Sequence, residues 1–206
     1  MLTAATNRQQ FERYLTAADE RQLFRHVAQF ADVLAHRDHA WLRLLRHTGL
    51  RVNSLALLNV ADATAAKISG ALRVRSETAK GGRGYDVGLN KSARAALADL
   101  VKIRRQMIRQ GADDGDALIL CRRGKRISVR SLQHRMAHWC KSAGLVIPAS
   151  PHWLRHTLAK RLIERSDARD PFGIVQVVLG HRSRNSTGIY ALPDREQIAH
   201  ALEAAA

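Results

Sequence analysis

The stretch SPHWLRHTLAKRLIERSDARDPFGIVQVVLGHRSRNSTGIY, from Ser150 to Tyr190, decides how the chain is read. Ser150 followed by Pro151 is an N-cap and first-turn pair, so a helix starts here. His152 and Arg155, three apart, then share one face near its positive end, where an anion is favoured. The apolar run Ile174 to Leu179 ends at Gly180, which predicts a helix stop that throws His181 into the turn beyond. Tyr190 follows nine residues later, after an Asn185-Ser186-Thr187 cluster able to start another short helix beneath it. Two imidazoles and a guanidinium can hold and neutralise a phosphodiester, and a phenol is a nucleophile that can form a covalent phosphate ester. No carboxylate is placed with them to hold a metal.

Each feature alone is ordinary. A His-x-x-Arg on a helix is usually a solvated face, a Gly-His pair is a helix stop, and a tyrosine commonly packs its ring while its hydroxyl meets water. Their order and spacing together are not ordinary. His152-Trp153-Leu154-Arg155, Leu179-Gly180-His181 and Tyr190 resemble the C-terminal motif of the tyrosine recombinases, also called lambda-type integrases.

Two upstream motifs extend the resemblance. In His47-Thr48-Gly49-Leu50-Arg51, a glycine stop places Arg51 at the start of a short new helix, and Thr-Gly-Leu-Arg is similar to the first signature box of the family. Three residues on, where the family usually has an acidic residue, this chain has Ser54. From Leu72 to Leu89 the pattern has period two around the glycine-rich Thr78-Ala79-Lys80-Gly81-Gly82-Arg83-Gly84, which predicts a β-hairpin. In the family such a hairpin carries a lysine into the active site, and Lys80 falls on it. No Gly-Lys-Ser/Thr follows, so a nucleotide P-loop is unsupported. A zinc-peptidase reading of His152 and His156 fails because Trp153 stands where a glutamate is required.

The chain has 206 residues, enough for one domain of full core size. No apolar run approaches the roughly eighteen residues that span a bilayer, and the N-terminus lacks an apolar signal region. Cys121 and Cys140 are too few for a disulfide framework or a zinc site, so reduced thiols and a cytoplasmic location are expected. Lys and Arg number 34 against 18 Asp and Glu, a formal charge of +16. Such an excess repels itself unless a polyanion is the usual partner, so nucleic acid is the first expectation.

The remaining text predicts helices. One is capped by Thr16 with Asp19 and runs through Leu23, Val27, Phe30 and Leu34 to about His36; a second spans about Asp38 to Thr48. A basic helix covers Lys91 to Gln110, a short strand Ala117 to Cys121, and another helix runs from Ser128 or Val129 to Gly144. A closing helix from Pro193 to Ala206 carries an apolar stripe of Ile198, Ala201, Leu202 and Ala205. The basic turn Arg122, Arg123, Lys125 and Arg126, with Arg83 and with Arg130 and Arg135 on the helix face beyond, would meet DNA.

The expected fold class is α+β, mainly helical, with a small antiparallel hairpin on a helical core. Residues 1–13 read as a leader or linker and 14–206 as the catalytic domain, without the N-terminal domain of about a hundred residues common in the family. The chain is then either a minimal recombinase, similar in size to the fimbrial phase-switch invertases, or a catalytic fragment. The resemblance implies a site-specific recombinase that integrates, excises or inverts DNA through a 3′-phosphotyrosyl intermediate, typical of phage, plasmid or other mobile elements. Arg51, Lys80, His152, Arg155, His181 and Tyr190 would be its catalytic residues. It implies no metal and no cofactor, double-stranded DNA with inverted-repeat sites, a monomer that forms homotetramers on DNA at the nucleoid, and accessory DNA-bending proteins in some systems. A non-catalytic DNA-binding regulator of the same fold, or a type IB topoisomerase, is the alternative.

Overall fold

The computed structural model describes residues 13–79, 82–109, 115–146, 148–180 and 202–205. Helix α1 (Ala17–Val27) is followed by α2 (Val33–Thr48), α3 (Val52–Ala56) and α4 (Val60–Ser69). The hairpin β1 (Ala71–Val74) and β2 (Tyr85–Gly88) comes next, and then α5 (Lys91–Arg109), α6 (Val129–Ser142), α7 (Pro151–Arg165) and α8 (Pro171–Leu179). This is the mainly helical α+β architecture expected. The predicted closing helix lies outside the described residues except for 202–205.

Local chemistry sets most boundaries. Thr16 caps α1 with a reciprocal capping box to Asp19. The helix stops at Val27 rather than near His36, because the Asp32 carboxylate accepts from the amides of Leu34 and Ala35 and so starts α2 at Val33. The first expected helix thus ends nine residues earlier than its apolar stripe suggests, and the second begins five residues earlier. Helix α4, which periodicity does not reveal, has its own capping box between Asn59 and Asp62. Residues Ala117–Cys121 do not form a strand. Ala117 to Leu120 are buried but make only isolated bridges, Ala117 to Asn59 and Leu120 to Arg126, because each neighbouring segment stays beside them for only two backbone hydrogen bonds.

Helix α2 is the centre of the molecule, with Trp41, Leu42, Leu44 and Leu45 fully buried and α5 and α7 packed against it. The hairpin pairs antiparallel with Leu72 opposite Val87, both facing the core, while Arg73 and Asp86 pair on the outer face at 2.9 Å. Helix α8 sits on α7 through the smaller cluster of Leu158, Ala159, Val175 and Leu179 and also touches β2. Cys140 is buried, and burial pushes its thiol pKa up, so it is held unreactive.

A buried ionic knot ties α2 to α6. Asp38, with 0% of its surface exposed, accepts from Arg37 Nε and Nη2 and Trp41 Nε1 on one oxygen and from Arg135 Nε and Trp139 Nε1 on the other. Arg37 also donates to the Leu120 carbonyl, which anchors the 117–121 segment. Asp38→Ala leaves the buried Arg37 without its counter-charge and is expected to cost about 3–5 kcal/mol of stability. Chemical denaturation checks this, and a loss below about 1 kcal/mol would show that the knot contributes no more than a surface pair.

Candidate active site

Three helix corners converge on Arg155. Ser150 is extended and Pro151 occupies the first turn of α7, which brings His152 out to solvent and turns Arg155 inward, where it is only 2% exposed. Its Nη1 donates to the Gly49 carbonyl at 2.6 Å and its Nη2 to the Leu179 carbonyl at 2.8 Å. These acceptors are the ends of α2 and α8. The planar guanidinium fork therefore spans two helix C-termini, one lying two residues before Arg51 and the other two residues before His181. Carbonyl acceptors orient the fork without neutralising it.

Both corners require glycine. Gly49 and Gly180 have φ of 61° and 60°, the left-handed region that stops a helix. At Gly49 a Cβ would also lie 2.5 Å from Leu179 Cδ2, so a side chain there would have to displace the buried leucine at the end of α8. Beyond Gly49 the chain buries Leu50 and makes Arg51 the N-cap residue of α3, half-buried, as expected. No hydrogen bond or ion pair ties the Arg51 guanidinium to the described residues.

The register of α7 is set from the start of the chain. Buried Glu20 on α1 accepts from Arg46 on α2 and Arg161 on α7, and the Leu15 amide donates to Thr157 Oγ1 at 2.9 Å. The buried His156 ring lies edge-on to His152, centroids 5.0 Å apart. The first turn of α7 is thus braced on the side away from solvent.

The hairpin is tied to the same corners. Ser54, 2% exposed, donates through Oγ to the Thr78 carbonyl at 3.0 Å, two residues before Lys80. At the position where the family usually has an acidic residue, the Ser54 hydroxyl thus joins α3 to the hairpin connection. On the other limb, the Tyr85 ring lies against Gly180, where a Cβ would come within 2.6 Å of Cδ2. Neither tie is announced by a motif, because each is made by a single side chain across a turn. Lys80, His181 and Tyr190 themselves lie outside the described residues; of the six expected residues Arg51, His152 and Arg155 are described, at the start of α3 and in the first turns of α7.

Of the basic residues expected to meet DNA, Arg83, Arg122, Arg123, Lys125 and Arg130 are exposed. Arg126 and Arg135 are instead engaged within the protein. Arg126 donates to the carbonyls of Ala56 and Leu58 and to Asn59 Oδ1, closing its own turn onto the start of α4. Arg135 is half-buried against Asp38 and stacks over Trp139 at 4.9 Å. Among the described residues no cluster of His, Cys, Asp or Glu is arranged to hold a metal ion, and no helix is long and apolar enough to cross a membrane.

A mainly helical domain with a hairpin set against the end of α8 and a buried arginine across two glycine corners has the fold of a tyrosine recombinase catalytic domain. It superposes on XerA recombinase with a TM-score of 0.71 at 23% identity, over 91% of this chain and 63% of that one. On XerH site-specific recombinase bound to its difH substrate the TM-score is 0.70 at 20% identity, over 94% of this chain and 55% of that one. The family model of the phage integrases matches residues 13–197, and the chain belongs to that family. It is 37% identical to tyrosine recombinase XerC of Shewanella amazonensis over 84% of this chain and 55% of that protein. With XerC of Chromohalobacter salexigens it shares 36% identity over 87% of this chain and 58% of the relative. The chain thus spans a little over half the length of these two relatives.

Proposed function

We propose that the protein is a site-specific DNA recombinase that cuts and rejoins strands through a 3′-phosphotyrosyl intermediate. The observation that carries this reading is Arg155, whose buried guanidinium is bonded to both corners from which Arg51 and His181 emerge. Arg51 and Arg155 hold the non-bridging oxygens of the scissile phosphate, and His181 donates a further hydrogen bond to it. Tyrosine has an ordinary pKa of about 10, so the cationic site and His152, which takes the phenol proton, are needed for attack at neutral pH. The Tyr190 oxygen bonds to phosphorus, the bond to the 5′ oxygen breaks, and Lys80 gives that oxygen its proton. A 5′-hydroxyl of a second strand then reverses the step, with the bond energy kept in the ester.

The substrate is double-stranded DNA, gripped by the exposed Arg83, Arg122, Arg123, Lys125 and Arg130 and by the overall charge of +16. Exchange between two duplexes needs four nucleophiles, so subunits that repel one another when free assemble as cyclic tetramers on paired inverted-repeat sites. The decisive experiment is covalent capture. A library of nicked duplexes with randomised arms should yield a denaturant-resistant protein–DNA adduct enriched for a palindromic sequence. No adduct from a folded protein that still binds DNA would replace this reading with that of a non-catalytic regulator.

Binding should also weaken steeply with salt, by about 0.9 in log Kd per tenfold salt for each phosphate neutralised. Arg122→Ala and Arg123→Ala should each lower that slope, while Arg126→Ala should leave it unchanged and lower the melting temperature, as its bonds are internal. Fluorescence anisotropy titrations over a salt series check both. An equal slope loss for Arg126 would return it to the DNA interface.

A further inference from the structure

Helix α7 carries Arg155, yet its apolar residues do not fix which way the helix faces. The buried positions, Pro151 and Trp153 to Ala159, fall on every side of the axis, so no single stripe sets the rotation. Polar ties set it instead. Arg155 reaches the Gly49 and Leu179 carbonyls, and Thr157 Oγ1 accepts the Leu15 amide at 2.9 Å. The third tie is Arg161, which at about 1.5 Å and 100° per residue stands about 9 Å along the helix from Arg155 and about a third of a turn round it.

Arg161 is held by Glu20 of α1, a carboxylate only 4% exposed. Glu20 Oε1 accepts from Arg161 Nη2 at 2.8 Å and from Arg46 Nε at 3.1 Å, and Oε2 accepts from the same Arg161 nitrogen at 2.7 Å and from Arg46 Nη2 at 3.2 Å. Arg46 stands three residues before Gly49 in the last turn of α2 and lies over the Phe24 ring at 5.1 Å. Helices α2 and α7 are therefore joined twice, directly where Arg155 meets the Gly49 carbonyl and again through Glu20. A buried carboxylate holds its partners firmly, because an arginine that swings away leaves charge behind in the interior.

We propose that Glu20 is a positioning residue for the reaction: by clamping Arg46 and Arg161 it sets the rotation of α7 against α2, and so the aim of the Arg155 guanidinium. The proposal rests on the strand-cleavage reading for what Arg155 does, but not for where it points.

The test has two arms, and Glu20→Gln and Arg161→Met enter both. The first reads Arg155 directly in the free protein by nitrogen NMR of the labelled guanidinium, with the signals assigned by their loss in Arg155→Lys. A fork held by two carbonyls turns slowly about its Nε–Cζ bond and gives separate Nη signals in the wild type, and both variants should merge them. The second arm is single-turnover cleavage of a nicked duplex well below the unfolding temperature. Both variants should be slowed by roughly ten- to a hundredfold, as small misplacements of a reacting group do. Half-site affinity should stay within about threefold, because the clamp lies inside the protein. Added to Arg155→Lys, neither should slow cleavage by more than about threefold further, since the group it aims is already gone.

Separate Nη signals in both variants overturn the proposal. So does wild-type cleavage by folded variants whose signals have merged, or a cleavage loss that multiplies in full with that of Arg155→Lys, which would make the clamp a support of the fold alone. If Glu20→Gln fails to fold by circular dichroism, Arg161→Met decides, because it leaves Glu20 paired with Arg46. Failure of the wild type to cleave defeats the strand-cleavage reading, and the nitrogen signals still decide whether Glu20 aims Arg155.

Discussion

Tyr190→Phe is expected to eliminate covalent capture of DNA while leaving half-site affinity within about twofold of wild type. The substitution removes one oxygen, and that oxygen is the one the proposed reaction joins to phosphorus, so no partial activity remains for the rest of the site to support. Affinity is carried instead by charge spread over many exposed arginines and lysines, to which a neutral phenol adds little. The measurement is a nicked-duplex assay resolved under denaturing conditions, paired with a binding titration. A denaturant-resistant adduct formed by Tyr190→Phe would move the nucleophile to another residue. A large loss of binding without cleavage would instead make Tyr190 a DNA contact.

The site was legible where it depends on helix punctuation. Ser150-Pro151, Gly49 and Gly180 are local signals, and each fixes the place of a residue one to three positions away, so Arg51, His152 and Arg155 stand at the helix ends that their spacing implies. The hairpin was legible for the same reason, since Leu72 and Val87 alternate with exposed neighbours. What was hidden depends on partners far away in sequence. Arg135 has the spacing of a solvated helix face, and nothing near it shows that Asp38, 97 residues earlier, claims its guanidinium. The stripe of Phe30, Val33 and Leu34 continues the apolar pattern of α1 and so masks the break that Asp32 makes by capping. Helix α4 has little amphipathic contrast, and the one signal that could have found it is the Asn59–Asp62 capping box.

The contacts of Ser54 and Glu20 were beyond reading for a related reason. Ser54 differs from the family pattern, and a departure shows only what is missing, not what the replacement does; its bond to Thr78 depends on the hairpin folding back over α3. Glu20 sits in an ordinary amphipathic helix, yet it is 4% exposed and joins the beginning of the chain to α7 through Arg161. A carboxylate is rarely so buried unless it is paired, and here both partners come from the helices that end or begin at the site.

Arg155→Lys is expected to lower cleavage by roughly a hundred- to a thousandfold and to destabilise the fold by about 1–3 kcal/mol. Lysine keeps the charge, so the change isolates the geometry of the fork. Arginine reaches the Gly49 and Leu179 carbonyls with two different nitrogens, whereas an ammonium is a single point that cannot span both. One of those carbonyls, each at the end of a helix, is then left without this donor, which accounts for the stability loss. The larger loss of activity follows from what the two bonds hold. With the fork gone, the corner before Arg51 and the corner before His181 are no longer fixed to one group, and the proposed phosphate ligands lose their common frame as well as one donor. Thermal unfolding and single-turnover cleavage, measured on the same preparation, separate the two effects. If stability falls but cleavage at a temperature well below unfolding stays within about threefold of wild type, Arg155 is a structural strut and the phosphate must be held by Arg51 and the histidines alone.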